Sequence, residues 1–343
     1  MPIKVNREEF LLKLKSVEAG LSPREIVEQS SCFAFKDGKI RTFNEDIACS
    51  VPSGLPTDLL GAVQAAPLLA VISRLAEDEI TLEPSKEELV IVGKRKRSGI
   101  RMEQNVLLAT DSVEQPKEWV EASPTFFDAL SIVQACAGKD ESAFEFTCVH
   151  IHPKWIEASD NFQIARYRMK TGVKEPILVK RNSIKFALEY EFSKVAETAT
   201  WIHFKSKTGL VHSYRRHLDK YKDMTPFLEV QGRPCVIPRS LAAAVENAEI
   251  FTKENADMNL VGVELRPGKL RIKGTGASGW YQEIKKLKYD GEPLQFMIAP
   301  KLLVELVKRY TDCEISSSYR LKVTGEKWVY VAVLLKPQPA GAA

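Results

Sequence analysis

The stretch LRIKGTGASGWYQEIKK, residues 270–286, contains glycines at Gly274, Gly276 and Gly279. A Gly-x-Gly-x-x-Gly spacing after a β-like run is typical of a dinucleotide-binding loop, where the backbone approaches a pyrophosphate at a helix N-terminus. The following segment, WYQEIKKLKYDGEP, reaches another turn too soon for the roughly 30 residues of such a βαβ unit. Glycines also supply the positive φ that hairpin turns require. We therefore predict a hairpin turn here and no nucleotide site.

The predicted order of elements repeats three times along the chain. Each copy begins with an amphipathic helix whose apolar residues are spaced by three and four. These first helices are NREEFLLKLKSV at 6–17, SPTFFDALSIVQACAG at 123–138 and IPRSLAAAVENAEIF at 237–251. Strand-like runs follow, then a second helix and a further pair of strands. The second helices are APLLAVISRL at 66–75, RNSIKFALEY at 181–190 and APKLLVELVKRY at 299–310. Ser123 before Pro124 predicts an N-cap.

The spacing of the copies predicts three domains. Equivalent helices lie about 115 to 120 residues apart, a usual domain length. Proline and polar residues in SVEQPKEWVEASP and LEVQGRP are typical of linkers between them. We predict three α+β domains at 1–120, 121–232 and 233–343, called repeats 1, 2 and 3. The glycine stretch then occupies the turn that reads FNED in repeat 1 and SDNF in repeat 2.

The composition is that of a soluble globular protein, with 44% hydrophobic and 27% charged residues. No apolar run approaches the roughly 20 residues of a membrane span, and MPIKVNREEF lacks the apolar region of a secretory signal. Six cysteines without a CxxC pair predict free thiols in a reducing compartment. We therefore expect a cytoplasmic protein with no membrane partner.

The sequence carries no recognisable catalytic signature. No GxSxG, HExxH, P-loop or Cys–His pattern is present. His150 and His152 share one face of a predicted strand, but no Cys, Asp or Glu completes a set at metal-ligand spacing. We predict no catalytic residue, no metal and no cofactor. Two further motifs have plain structural explanations: FFDAL at 126–130 fits a helix core better than a partner peptide, and KRKR at 94–97 fits an exposed hairpin tip better than a nucleic-acid patch.

The order of these segments resembles the bacterial DNA sliding clamp, the β subunit of the replicative DNA polymerase. The matching segments are GKRKRSGIRM in repeat 1, WIEASDNFQIAR in repeat 2, and FTKENADMNLVGVELRPGKLRIKG and FMIAPKLLVELVKRY in repeat 3. The resemblance covers nearly the whole chain, and it depends on the order of many weak matches. The departures and the short chain favour a divergent clamp, and a cellular, phage or plasmid origin stays open.

The resemblance implies an α+β fold of three tandem clamp domains, each with two helices packed on antiparallel sheet. Three such domains form half of a six-domain ring, and two chains close the ring head to tail as a homodimer. The ring encircles double-stranded DNA without reading its sequence, and it tethers DNA polymerase and other replication or repair proteins. A clamp loader is a further implied partner, and no chemistry is expected.

The resemblance also implies three sets of site residues. Basic residues facing DNA from the lining helices and one loop are Arg7, Lys13, Arg24, Arg74, Arg181, Lys185, Arg239, Lys301, Lys308 and Arg309; the alternative for any one is an ordinary solvated side chain. Dimer-interface residues are Ile100 and Met102 with Ile250 and Phe251 of the partner copy. A groove between domains 2 and 3 for partner peptides is formed by Phe146, Ser159, Asn161, Phe162, Gln163, Ile164, Lys222, Phe227, Val331, Val333 and Leu335.

Some positions depart from the family pattern at the groove. Lys222 stands where the family usually has proline, and Phe162 and Gln163 replace a histidine and an arginine. We therefore expect a groove with a different peptide preference. Two other function classes stay open at this point: a clamp-like adaptor that does not encircle DNA, and an unrecognised DNA-processing enzyme. Solution mass separates a ring from an adaptor, because a ring requires a closed dimer.

Overall fold

The computed structural model describes residues 2–25, 27–254 and 259–337. Residues 255–258, part of the segment that resembles the clamp in repeat 3, lie outside the described residues. Within the described ranges no helix is long and apolar enough to cross a membrane. The α-helices there are α1 Arg7–Ser16, α2 Ala65–Arg74, α3 Pro124–Val133, α4 Arg181–Ile184, α5 Thr225–Leu228, α6 Leu241–Thr252 and α7 Pro300–Arg309. Short 3₁₀ turns span Glu18–Gly20, Thr110–Ser112, Gln134–Cys136, Phe144–Thr147 and Lys185–Leu188.

The strands follow in three successive sets along the chain. In repeat 1 they are β1 Ile3–Asn6, β2 Cys32–Lys36, β3 Lys39–Phe43, β4 Ile47–Pro52, β5 Gly61–Gln64, β6 Glu79–Pro84, β7 Glu88–Val92, β8 Arg97–Glu103 and β9 Val120–Glu121, the last at the border of repeat 2. In repeat 2 they are β10 Cys148–His152, β11 Trp155–Ser159, β12 Gln163–Arg168, β13 Ile177–Lys180, β14 Lys194–Glu197, β15 Trp201–Lys205 and β16 Val211–Arg215. In repeat 3 they are β17 Arg233–Val236, β18 Val261–Arg266, β19 Lys269–Gly276, β20 Gly279–Lys286, β21 Leu294–Ile298, β22 Asp312–Ser316, β23 Arg320–Thr324 and β24 Trp328–Val333.

The chain divides into two compact units. Unit 1 comprises Met1–Ala135, Glu141–Ile156 and Met169–Tyr221. Its longest run of paired strands has the order β1-β6-β7-β8-β5-β2-β3-β4-β16-β15-β14-β9, and β10 pairs with β13. Unit 2 comprises Cys136–Asp140, Glu157–Arg168 and Lys222–Ala343. It holds the runs β12-β24-β23-β22-β17 and β20-β19-β18-β21. Neighbouring strands in these runs are antiparallel, which confirms the α+β class. The three-domain division stays a prediction.

Each repeat joins the next by the same kind of strand pairing. In unit 1, β4 of repeat 1 pairs with β16, the last strand of repeat 2, with Ala48 opposite Ser213. In unit 2, β12 of repeat 2 pairs with β24, the last strand of repeat 3, with Ile164 opposite Val331. The third strand after the first helix of one repeat therefore extends the sheet of the following repeat at both junctions.

The six predicted amphipathic helices are confirmed, with the second helix of repeat 2 split into α4 and the 3₁₀ turn Lys185–Leu188. α1 packs against α2, and α6 packs against α7. The contacts bury apolar residues at helical spacing, such as Phe10 and Leu14 of α1. The cap of α1 is Asn6, whose Oδ1 accepts the Glu9 amide at 3.0 Å. Ser123 lies at the N-cap of α3 as predicted, but its side chain makes no capping hydrogen bond there.

The glycine stretch forms the predicted hairpin turn. Gly276 pairs with Gly279, so Ala277 and Ser278 close the turn between β19 and β20. The glycines also allow α6 to approach the sheet. A Cβ at Gly274 would collide with the Ala248 carbonyl, and one at Gly276 would collide with the Phe251 carbonyl. The spacing is therefore required by helix–sheet contact, because any side chain there would push α6 away.

Two buried histidines stabilise unit 1 in their neutral forms. His203 lies 2.7 Å from the Ser213 hydroxyl and 3.0 Å from that of Thr198. His212 donates from Nε2 to the Ser16 carbonyl at 2.7 Å, and its Nδ1 accepts the Tyr214 hydroxyl. Burial lowers the pKa of His203 and of His212 to about 4. Protonation would place a charge among partners that are already engaged.

These histidines predict that stability falls with acidification. In the unfolded chain their pKa is about 6.5, so the unfolded state binds more protons between pH 6.5 and 4. The stabilisation is complete above pH 6.5 and is lost as the pH falls towards 4. We expect the free energy of unfolding of wild type to fall more steeply across this window than that of His203→Gln, measured by urea denaturation. Parallel pH profiles would contradict the assignment for His203.

Candidate functional site: a groove, basic helix faces and two strand edges

One face of the β12–β24 pair carries three of the predicted groove residues, Ile164, Val331 and Val333. Gln163 precedes Ile164 on β12 and faces the opposite side. Ile164 stands directly opposite Val331, and alternate residues of a strand share a face, so Val333 lies on the same side. Ile164 and Val331 are buried, whereas Val333 is half-buried. Past the strand, Leu335 exchanges two backbone hydrogen bonds with Met297. Ile164, Val331 and Val333 therefore form an apolar strip on this face.

A tight turn precedes β12 and leaves the ring of Phe162 exposed. The Asp160 carboxylate accepts the amides of Phe162 and Gln163 at 3.1 and 3.0 Å. Asn161 adopts a φ of 72°, a conformation that asparagine tolerates better than most residues. Ser159 is buried and donates to the Gln163 carbonyl. The turn leaves Phe162 54% exposed at the end of the strip.

A short segment, Lys222–Gln231, lies beside the same strip and is here called the strap. Two cations lie over the Phe227 ring of the strap: Lys222 Nζ is 5.1 Å and Arg320 Cζ is 5.7 Å from the ring centre. Three sheet cations donate to the strap: Arg166 to the Thr225 hydroxyl, Arg320 to the Pro226 carbonyl and Lys322 to the Val230 carbonyl. Arg166 is itself ion-paired with buried Glu157 at 2.7 Å. These contacts fix the position of Phe227 beside the apolar strip.

The strap anchors Arg166, Arg320 and Lys322 were missed in the sequence. The only available signal was alternation in YRLKVTG, which places Arg320 and Lys322 on the same face of β23. Phe146 is the one predicted groove residue in unit 1, where its ring lies 6.3 Å from that of Tyr221.

The residues predicted to face DNA lie on or beside helices, as expected. Seven are exposed: Arg24, Arg74, Lys185, Arg239, Lys301, Lys308 and Arg309. Arg7, Lys13 and Arg181 are half-buried. Arg7 donates to the Glu77 carbonyl and Lys13 to the Ser53 carbonyl. On the repeat 3 helices, Lys308 lies 3.3 Å from Glu246 and Arg309 lies 3.5 Å from Glu305. Because carboxylates share these faces, any attraction for a polyanion is weak.

The predicted dimer-interface residues occupy two different environments. Ile100 and Met102 are buried on β8 within the chain, on a strand that α2 contacts. Ile250 is 63% exposed on α6, and Phe251 is half-buried. Sequence reasoning missed two further apolar side chains nearby, Trp280 and Ile284 of β20, which are 65% and 58% exposed. Alternation along GWYQEIKK was the signal that could have found them.

Strands β8 and β20 each have an open edge among the described residues. β20 ends its run of strands, with β19 as its neighbour. β8 pairs with β7 over Arg97–Arg101, but on its other side β5 pairs with it at Met102 and Glu103. Open strand edges of this kind are usually covered or paired.

The remaining sequence candidates have structural roles. The His152 ring stacks on Trp155 and the His150 ring on Tyr221. No group of three or more metal-ligating side chains is found in the ranges that the structure describes. Phe126 is buried, and its ring packs with those of Phe127 and Phe204, so FFDAL belongs to the core. Lys94–Arg97 forms an exposed tip between β7 and β8.

Comparison with solved structures decides the fold. A sliding clamp (DNA polymerase III subunit beta) from Bartonella birtlesii, solved with griselimycin, aligns with a TM-score of 0.85 at 16% identity over 98% of this chain and 100% of that one. The chain has the sliding-clamp fold. The DNA polymerase III subunit beta of Pseudomonas aeruginosa aligns with a TM-score of 0.83 at 14% identity, and that of Thermotoga maritima with 0.82 at 15%. Each alignment covers 98% of this chain and 100% of the other.

The clamp fold is retained although the sequence has diverged far. No family model matches this sequence, and no curated protein matches it. Identities of 14–16% with TM-scores above 0.8 show that the same fold is formed by very different sequences. The predicted resemblance to sliding clamps is thereby confirmed at the level of the fold.

Proposed function

We propose that this chain is a DNA sliding clamp, a processivity factor without enzymatic activity. Two copies close head to tail into a ring around double-stranded DNA and tether a DNA polymerase. The observation that carries the proposal is the match to DNA polymerase III β subunits over 98% of the chain at TM-scores above 0.8. A clamp loader and a cytoplasmic location follow from the same proposal.

Each of the three predicted sites has a role in this function. The basic residues on the helices attract phosphates weakly and without reading bases, as a protein that slides on DNA must. The apolar strip of Ile164, Val331 and Val333 with Phe227 takes the apolar anchors of a partner peptide. The open edges of β8 and β20 meet between copies, so each ring has two such junctions.

One observation favours the second candidate, an adaptor that does not encircle DNA. Ile100 and Met102 are already buried within the chain, which leaves less apolar surface on β8 for a partner copy. The exposed side chains of β8 are instead Arg97, Arg101 and Glu103. Closure of a ring by two copies would therefore depend mainly on the apolar side chains of repeat 3.

A topological test separates the two candidates. A ring loaded on nicked circular duplex stays bound after free protein is removed, because it can leave only by opening. On the same DNA cut once, it slides off the ends. We expect gel filtration to show protein with circular DNA and little with linear DNA, and bulky blocks at both ends to restore retention. Equal retention on circular and open linear DNA contradicts the ring.

A further inference from the structure

A cavity of about 810 Å³ opens beside the strap in unit 2, and the apolar anchors of a partner peptide leave it unused. Arg166 of β12 lies directly opposite Val329 of β24, two residues before Val331, so it shares the face of the apolar strip. On β23, Thr324 lies opposite Val329 and Lys322 lies opposite Val331. The strip and the cavity therefore occupy one face of the sheet, with the cavity towards the start of β24.

This cavity, here called the basic cavity, is lined by the four cations Arg166, Arg168, Lys322 and Lys327. Arg168 and Lys327 are exposed, and within the part of the chain that the structure describes neither makes an ion pair. Their charges are therefore available to attract an anion to the mouth of the cavity.

Lys322 can supply a contact at the inner end of the basic cavity. Its Nζ donates to the Val230 carbonyl at 3.2 Å, and the Glu314 carboxylate is 3.7 Å away, beyond hydrogen-bond distance. An ammonium has three N–H donors, so Lys322 keeps donors for a ligand. Its side chain is only 21% exposed, and a charge in such a place acts more strongly than one in water.

The carboxylates of the basic cavity oppose an anion only weakly. Glu229 of the strap and Glu326 of the turn between β23 and β24 line it, and both are exposed to solvent that screens their charge. Arg166 is neutralised by buried Glu157 at 2.7 Å. Three cations then remain against two carboxylates, and the least exposed charge of these is that of Lys322. The inner end of the cavity therefore favours an anion.

We propose that the basic cavity binds an acidic side chain of the same partner polypeptide whose apolar anchors occupy the strip. The inference rests on the proposed function and adds a second determinant of specificity to its partner site. The aspartate or glutamate carboxylate accepts charge-assisted hydrogen bonds from Lys322, and Arg168 and Lys327 attract it at the mouth.

The distance along the sheet predicts where the acidic residue lies in the partner. Val333, at the far end of the strip, and Val329, at the cavity, are four residues apart on β24, which is about 13 Å. An extended peptide spans the same distance with about four residues. In a peptide that ends in leucine and phenylalanine, the acidic residue therefore precedes the leucine by about four positions.

Matched peptides test the proposal. Each ends in an amidated Leu-Phe pair, so that no terminal carboxylate can occupy the cavity, and carries either aspartate or asparagine two, four or six positions before the leucine. We expect fluorescence anisotropy to show that the chain binds aspartate about fivefold more tightly than asparagine at the fourth position. The preference should shrink as salt is added, because Arg168 and Lys327 are exposed.

A charge-matched pair of variants separates local contacts from overall charge. Arg168→Gln with Lys327→Gln should reduce the aspartate preference to about twofold or less. The control, Lys269→Gln with Lys273→Gln, removes the same charge from exposed residues of β19 in the same unit and should keep the full preference. A preference that survives in the first variant, or that is lost equally in the control, overturns the proposal.

The outcomes also separate this inference from the proposed function. Leu-Phe peptides that bind without an aspartate preference at any position overturn the inference alone. Peptides that do not bind in any form overturn the proposed peptide groove as well. Displacement of the aspartate peptide by a short DNA oligonucleotide of equal affinity would assign the basic cavity to phosphates and overturn the inference.

Discussion

Val333→Asp is expected to weaken binding of peptides that end in leucine and phenylalanine by about a hundredfold, or about 3 kcal/mol. Val333 lies half-buried on the face that carries Ile164 and Val331, beside the strap. A carboxylate there would be desolvated by the anchor side chains of the peptide. It would also draw the Arg320 guanidinium, which lies directly opposite Val333, away from the Phe227 ring and the Pro226 carbonyl. Titration by fluorescence anisotropy measures the loss.

Leu218→Asp is the control for this prediction, because it introduces the same charge at an exposed apolar residue of unit 1. Its affinity for the peptide should equal that of wild type. Equal binding by wild type and Val333→Asp would remove the strip from the partner site. Absence of binding to wild type for every peptide tried would leave the groove without a role. Several peptides must be tested, because the chain departs from the family pattern at Lys222, Phe162 and Gln163.

Replacing Ile250 and Phe251 together by alanine is expected to convert the dimer to monomers. Ile250 is 63% exposed, and the Phe251 ring lies beside Gly279 at the start of β20. Burial of two such side chains against a second copy contributes about 2 kcal/mol or more each. Losing both at each of the two junctions of a ring should shift the sedimenting mass from twice the 38.5 kDa of the chain to that of one chain.

The control for this pair removes two exposed apolar residues elsewhere, Leu60→Ala with Leu218→Ala. It should remain dimeric at the same concentration. Circular dichroism must show that the Ile250, Phe251 variant is folded, since Phe251 is half-buried within the chain. A folded variant that keeps the mass of the wild-type dimer would exclude these residues from the junction. Ile250 and Phe251 belong to α6, which packs against β20.

Local patterns in the sequence predicted the helices and hairpins well. The apolar spacing of LAAAVENAEIFT specified α6, and the glycines before WYQEIKK specified the hairpin at Gly276–Gly279. These elements depend on neighbours within a few residues, so periodicity and turn chemistry are sufficient. The repetition of the pattern predicts three copies of one unit, and the resemblance supplied the clamp fold.

The candidate site was predictable only in part. The resemblance of SDNFQI and of the last strand to the family predicted Ile164 and Val331 in one groove, and the structure pairs these two residues. The strap anchors Arg166, Arg320 and Lys322 were not foreseen, because each contacts a residue 59 to 94 positions away. Burial of Ile100 and Met102 was not foreseen either. Alternation along a strand shows that two side chains share a face, but it does not show what covers that face.

The sequence by itself determined which segments are helices and strands and where they turn, and it predicts that one unit occurs three times. Tertiary structure alone decided which strands meet: β4 with β16 and β12 with β24, across more than 160 residues in each case. It also decided that Gly274 and Gly276 admit the carbonyls of α6, and that Trp280 is left exposed at an open edge. The physical reason is that side-chain periodicity is a local property, whereas strand partners and close contacts depend on residues brought together only by the folded chain.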